Sequence, residues 1–188
     1  MMSEAFSKIF WGYVLVLFEI HFFVIDILPE PVGYYLIFSG ITMLLNDFPI
    51  GSKAKNMALA LLFISIPTVF VQQNAGADQL GQIPFLTGWP LYMTVLGVLK
   101  LILVFYIFQL IMAIVKDHGD FALIDRTTKT FYTYIIVMVL TLIVHSFSIN
   151  FSTEQFLVVT IISLVVGFIM EIVFLVLLRK IRKVDFEG

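Results

Sequence analysis

Six ionisable side chains lie within or at the ends of long apolar runs, and their types could do chemistry there. They are one lysine, three carboxylic acids and two histidines: Lys100, Glu19, Asp26, Glu171, His21 and His145. Charged groups are costly away from water, so in such runs they mark either a functional site or a specific pairing. A carboxyl among them could carry a proton, and the lysine could bind a charged substrate.

The apolar runs are long enough to be membrane segments. The chain is 61% hydrophobic and 13% charged, with a mean hydropathy of +1.05, whereas soluble domains are about 25% charged. A soluble core of 188 residues could not bury so much apolar surface, but lipid could cover it. We predict an all-α single transmembrane domain over residues 1–188 with six segments: 9–28, 32–45, 54–71, 89–115, 131–149 and 156–178.

The second segment is the shortest and admits two interpretations. A bilayer core needs about 20 helical residues. Pro31 suits the first turn of a helix, and a helix over residues 31–48 would be about 27 Å long. Segment 2 is therefore either a short span, accommodated by slight thinning of the bilayer, or a re-entrant segment. In segment 3, Pro67 predicts a kink.

The basic residues predict the orientation of the segments. Ten of the eleven fall in every second gap: Lys8, then Lys53 and Lys55, then Lys116, Arg126 and Lys129, then Arg179, Lys180, Arg182 and Lys183. This is the positive-inside pattern of a multi-pass protein in a plasma membrane. Six spans put both termini in the cytoplasm; five spans with an external N-terminus leave only Lys8 on the wrong side.

Aromatic residues near the segment ends predict belts at the two membrane surfaces. Seven tyrosines and tryptophans lie at such ends. We expect Trp11, Tyr13, Tyr132 and Tyr134 near the inner surface, and Tyr34, Tyr35 and Trp89 near the outer one.

Counting residues places two opposite charges at similar depth. Glu19 lies about 15 Å from the inner end of segment 1, and Lys100 lies about 15 Å from the outer end of segment 4. We therefore predict that these segments touch and that Glu19 pairs with Lys100. The pair could merely specify the fold, Lys100 could instead snorkel outward, or the two residues could form a substrate or proton site.

Helical spacing gathers small and polar residues into one stripe on most segments. Examples are Ala58, Ser65 and Thr68 on segment 3, and Gly167 with Glu171 on segment 6. Other stripe residues are Ser39, Thr42, Asn46, Tyr134, Thr141, His145, Thr153 and Thr160. Such stripes either let helices approach closely and hydrogen-bond across, or line a partly hydrated central cavity.

Several other functions find little support in the residues. The chain has no cysteine and no nucleophile–base or phosphate-loop motif. A haem or metal site at His21, Asp26 and His145 would rest on isolated residues, so we predict no metal and no cofactor. The basic tail, Arg179, Lys180, Arg182 and Lys183, is expected to attract anionic lipids or to be a plain anchor, and nucleic acid is not an expected partner.

The opening of the chain resembles a known group of proteins. Phe10-Trp11-Gly12, Asp26-Ile27-Leu28-Pro29, Val32-Gly33-Tyr34 and Gly40 are similar to the start of small polytopic membrane proteins of Gram-positive bacteria. That group implies a class and a source but carries no activity. Size and segment number also resemble the substrate-binding subunits of energy-coupling-factor vitamin transporters, although the Ala-x-x-x-Ala motif of those proteins is absent from residues 9–28.

These observations favour a small transporter, or a subunit of a transport complex, with a charged site near the membrane midplane. Glu171 is the candidate proton carrier in this hypothesis. The alternative is a non-transporting subunit that packs against a membrane-protein partner or a second copy through its polar stripes. An intramembrane enzyme ranks third.

Overall fold

A computed structural model describes residues 2–21, 30–70, 88–118, 121–147 and 152–184, and within these ranges the protein is helical without strands. Six helices have thirteen residues or more. They are α1 (Met2–His21), α2 (Glu30–Leu44), α3 (Ser52–Ile64), α5 (Trp89–Asp117), α6 (Phe121–Phe147) and α7 (Thr153–Arg182). A 3₁₀ turn at Pro49–Gly51 precedes α3, and a short helix α4 (Ile66–Phe70) follows it.

Local sequence signals account for several helix ends. Ser152 begins α7 with a capping box, because its hydroxyl accepts from the backbone N–H of Gln155 while the Gln155 side chain accepts from the N–H of Ser152. Pro90 occupies the first turn of α5, where its missing N–H leaves no helical bond unmade. The interruption predicted near Pro67 is present as a break at Ser65, between α3 and α4.

Three of these helices are long and apolar enough to cross a membrane. They are the stretches Leu91–Asp117, Phe121–Val144 and Glu154–Arg182, with mean hydropathies of 2.6, 1.6 and 2.9. Much of the surface of α6 and α7 consists of exposed Val, Ile, Leu and Phe side chains, among them Ile136, Leu140, Ile161 and Val165. Contact of such a surface with lipid carries no free-energy penalty, whereas contact with water is unfavourable.

Consecutive helices pack as neighbours and close into a ring. Among the described residues, α1 packs on α2, α2 on α3, α3 on α5, α5 on α6 and α6 on α7, and α7 returns to pack on α1. Neighbours run antiparallel, as the cross-helix contacts of α5 and α6 illustrate: Phe108 meets Tyr134, while Met112 meets Thr128. The ring has an interior to which every helix can contribute a side chain.

Glycines set the closest helix contact, between α1 and α2. A Cβ on Gly12 would lie 2.5 Å from the carbonyl oxygen of Gly33, and a Cβ on Gly40 would lie 2.6 Å from that of Ala5. Both obstacles are backbone atoms that cannot rotate away. The glycines of the opening motif therefore allow the two helix backbones to touch.

Contacts between helices bring basic residues to one end of the bundle. The Lys8 amine lies 3.5 Å from the Met43 sulfur at the end of α2. The Arg182 guanidinium, at the end of α7, lies 5.2 Å from the ring centre of Phe10 in α1. The Lys53 amine, at the start of α3, lies 6.0 Å from the ring centre of Tyr106.

The helix boundaries differ from the predicted segments mainly at the polar ends. Helix α5 matches segment 4 to within two residues, and α2 matches segment 2. Helix α6 begins at Phe121, ten residues before segment 5, because a helix continues past the apolar run through Asp125, Arg126 and Lys129. Helix α1 likewise begins at Met2.

Candidate functional site

Lys100 of α5 forms a salt bridge with Glu30, the first residue of α2. The Glu30 side chain is 3% exposed and that of Lys100 is 17% exposed, so both charges are largely removed from solvent. Lys100 lies eleven residues after Trp89, about 16 Å along α5. The pair therefore lies inside the bundle, well away from either end of this helix.

Two hydroxyl groups hold the Glu30 carboxylate in place. Tyr34, one turn later on α2, donates to Oε1 at 3.1 Å. The Thr68 hydroxyl of α4 lies 3.3 Å from Oε2 and 2.7 Å from the carbonyl oxygen of Ser65, so these two acceptors share its single proton. The break at Ser65 directs α4 toward α2, and Ala58, Ser65 and Thr68 are buried on the stripe predicted for segment 3. Glu30 thus has one charged and two neutral neighbours, with a polar group beside each carboxylate oxygen.

The structure gives Lys100 a partner that the sequence reasoning did not choose. Depth counting chose Glu19, whereas the carboxylate described on the Lys100 amine is that of Glu30. The side chain of Glu19 lies outside the described part of the chain, so the predicted Glu19–Lys100 pair stays a prediction. Glu30 was passed over because it stands between Pro29 and Pro31, a setting that indicates a loop. The available signal was an acid in the first turn of a helix, one turn before a tyrosine.

Glu171 of α7 forms the second part of the site. The Tyr134 hydroxyl of α6 donates to Glu171 Oε1 at 2.9 Å. The buried Tyr13 ring of α1 packs on Phe174, three residues along α7 from Glu171, and so lies close to this pair. Glu171 Oε2 is buried, and no group in the described ranges makes a hydrogen bond with it. This oxygen is therefore free to accept a proton or a cation.

Aromatic rings enclose the Glu171 cluster on the side of the basic end. The Phe174 ring lies 4.8 Å from the Tyr13 ring and 4.9 Å from the Phe108 ring, and Phe108 lies 5.7 Å from Tyr134. All four side chains are buried. Packed rings leave little room for water and fix the tyrosine hydroxyls in position.

Lys100 links the two parts of the site electrostatically. Its charge acts on Glu171 as well as on Glu30. Among the described residues, the helical ring therefore holds one cation and two carboxyl groups in its interior. Contributions come from all around the ring: Tyr13 from α1, Glu30 from α2, Thr68 from α4, Lys100 from α5, Tyr134 from α6 and Glu171 from α7.

The predicted aromatic belts are wrong for three of the tyrosines. Tyr13, Tyr34 and Tyr134 are each 5% exposed or less. The hydroxyls of Tyr34 and Tyr134 donate to Glu30 and Glu171. Their neighbours Trp11, Tyr35 and Tyr132 are each more than half exposed, as a belt residue should be. The sequence pattern does not distinguish these roles, because adjacent aromatic residues point to different sides of a helix.

None of the remaining candidate residues is described as part of the site. The side chains of His21 and His145 lie outside the description, as does all of Asp26. The parts of the chain that are described contain no group of three His, Asp or Glu side chains that could hold a metal ion. Of the stripe on segment 2, Thr42 and Asn46 are exposed, and the Thr42 hydroxyl returns to the carbonyl of Phe38.

A groove of about 630 Å³ lies apart from these charges. Ten residues line it: Ile50, Phe105, Phe108, Gln109, Met112, Ala113, Lys116, Thr128, Phe131 and Tyr132. It opens between α5 and α6 toward the basic end of the bundle. Neither carboxyl of the central site lines it, and neither does Lys100.

Comparison with known proteins yields no match among family models, curated proteins or solved structures. The function is therefore argued from the site.

Proposed function

We propose that this protein is a multi-pass membrane protein with six membrane segments and both termini in the cytoplasm. Three helices with the length and apolarity of membrane spans support this proposal. The gathering of basic residues at one end of the bundle supports the orientation. Helix α2, with 15 residues, is about 22 Å long and is the short segment of the six.

Within that framework, we propose that the protein is a small transporter, or a subunit of a transport complex, with an ion site at the centre of the helical ring. The observation that carries this proposal is the imbalance of buried charge. Lys100 neutralises one carboxylate, Glu30, while Glu171 is left with a buried oxygen that has no partner in the described ranges. A group that only stabilised the fold would be expected to have both oxygens satisfied.

Glu171 is the proton or cation carrier in this mechanism. Protonation of Oε2 neutralises the second carboxyl and leaves the interior with a balanced Lys100–Glu30 pair. Loss of the proton leaves one excess negative charge, which attracts a cationic substrate group or another proton. Tyr134 holds the carboxyl in either state, because a phenol can donate or accept a hydrogen bond.

Charge displacement after a pH jump tests this proposal with the proton as the probe. Purified protein in liposomes is adsorbed on a solid-supported membrane, and the outer pH is changed rapidly. We expect a transient current in the wild type that is lost in Glu171→Gln. Glu154→Gln removes an exposed carboxyl from the first turn of the same helix and should keep the current. Equal currents in all three proteins, or none in the wild type, would contradict the proposal.

A non-transporting assembly subunit is the second candidate, and one observation favours it. A Cβ on Gly97 of α5 or on Gly167 of α7 would meet no atom within 4 Å, so these small-residue faces are open. A partner helix could approach closely there. Under this alternative, Gly97→Leu and Gly167→Leu would abolish copurification of a membrane partner, whereas the pH-jump current would be absent from the wild type.

A further inference from the structure

The groove between α5 and α6 has a mainly apolar lining and one cationic side chain at its opening. Phe105, Phe108 and Phe131 form its inner end, and Met112, Ala113 and Ile50 continue the apolar lining. Lys116 lies at the other end and is exposed. The only other polar side chains in the lining are Gln109, Thr128 and Tyr132.

The length of the groove matches one leaflet of a bilayer. Phe105 and Lys116 are eleven residues apart on α5, which is about 16 Å along the helix. Half of a typical hydrocarbon core is about 15 Å. The aromatic end therefore lies toward the membrane centre and the lysine toward the basic end of the bundle, where phospholipid headgroups lie.

The Lys116 amine is available for an external anion. In the described part of the chain no carboxylate pairs with it, whereas the nearby Lys129 is paired with Asp125 at 2.7 Å and Lys8 with Glu4 at 3.4 Å. The Thr128 hydroxyl already donates to the carbonyl of Ile124, one turn earlier on α6, at 2.8 Å. Lys116 is thus the charge that an occupant of the groove would meet.

We propose that this groove binds one anionic phospholipid of the cytoplasmic leaflet, with an acyl chain along the phenylalanine rings and the phosphate at Lys116. The apolar lining fits a chain, the depth fits a leaflet, and the charge fits a phosphate on the side of the membrane where anionic lipids and basic residues attract each other. The site depends on the membrane location proposed above and not on the transport activity.

Native mass spectrometry of the detergent-purified protein tests the site with phosphatidylglycerol and phosphatidylcholine of identical chains. In the wild type we expect the first phosphatidylglycerol to bind at least about fivefold more tightly than phosphatidylcholine, the factor that one basic residue contributes near a membrane surface. Lys116→Gln should remove this preference. Lys55→Gln, which removes an equal charge from α3, should keep it.

A second pair of variants tests the apolar part of the groove. Ala113→Trp fills the groove and should abolish tight binding of the first phosphatidylglycerol, whereas Ala60→Trp adds the same side chain to an exposed position of α3 and should not. Equal affinity of the wild type for both lipids would overturn the proposal. So would an unchanged preference in Lys116→Gln, which alters an exposed side chain and tests the site even if Ala113→Trp fails to fold.

Discussion

The Glu30–Lys100 pair is the least solvent-exposed salt bridge in the described part of the chain. A buried ion pair gains little over apolar packing when it is intact, but removal of one partner leaves an uncompensated charge. Tyr34 and Thr68 complete the environment of Glu30, so its carboxylate is stable only while Lys100 is present.

Replacing Lys100 with methionine should destabilise the protein by about 3–5 kcal/mol, because it leaves the Glu30 charge buried without a cation. The double variant Glu30→Gln/Lys100→Met should recover a large part of that loss. The measurement is equilibrium unfolding in mixed micelles, followed by circular dichroism.

The matched comparison is Glu19→Gln/Lys100→Met. If Glu30 is the true partner, this double variant should be no more stable than Lys100→Met alone. Recovery by Glu19→Gln but not by Glu30→Gln would show that the pair assigned here is wrong.

At the residue scale, the sequence selected two ionisable residues that the structure places in the interior, but not the partners described for them. Lys100 and Glu171 were chosen because ionisable groups in apolar runs are rare, and both face the interior. Glu30 and the hydroxyl of Tyr34 were missed, whereas Tyr134 was named on a polar stripe but without its partner Glu171. Their roles depend on which side of a helix faces the ring, and that is set by packing between helices distant in sequence.

At the scale of elements, the packing of α1 on α2 depends on three glycines, Gly12, Gly33 and Gly40, at which any side chain would collide with the facing helix. A methyl group at Gly12 would collide with the backbone of Gly33, so the two helices would have to separate. Separation would also move Glu30 relative to Lys100, since Glu30 begins α2.

Gly12→Ala should therefore destabilise the protein by about 1–3 kcal/mol, as overpacking typically does. Gly97→Ala is the control. Its Cβ would meet no neighbouring atom, and alanine is favoured over glycine in a helix by about 1 kcal/mol. Unfolding in mixed micelles measures both variants. Equal effects of the two substitutions would contradict the close approach of α1 and α2.

The centres of the elements were easier to predict than their ends. Pro67 predicted the interruption that is present at Ser65. Apolar length placed α5 correctly. It placed the start of α6 ten residues too late, because hydropathy reports where lipid ends and not where backbone hydrogen bonding ends. Asp125 and Lys129, an i,i+4 ion pair at 2.7 Å, support the helix beyond the apolar run.

At the scale of the whole molecule, ring closure of α1 against α7 gives the protein an interior in which charges from distant parts of the chain meet. No periodicity within one segment indicates such closure. The positive-inside pattern predicts which helix ends lie together, and the contacts of Lys8, Lys53 and Arg182 agree with it.

The absence of native cysteine allows a direct test of orientation. A single cysteine at Asp117, at the end of α5, should react with a membrane-impermeant maleimide only after the cells are permeabilised. A single cysteine at Asp78, in the longest predicted external connection, should react in intact cells. The opposite pattern would reverse the proposed topology.

The most direct test of the central claim is whether Glu171 exchanges a proton inside the bundle. Infrared difference spectroscopy of membrane-reconstituted protein, recorded as the pH is changed, reports the C=O band of a protonated carboxyl. We expect a reversible band in the wild type and in Glu154→Gln that is missing in Glu171→Gln. The same band in all three proteins would show that the interior carboxyl is not the group that takes up the proton.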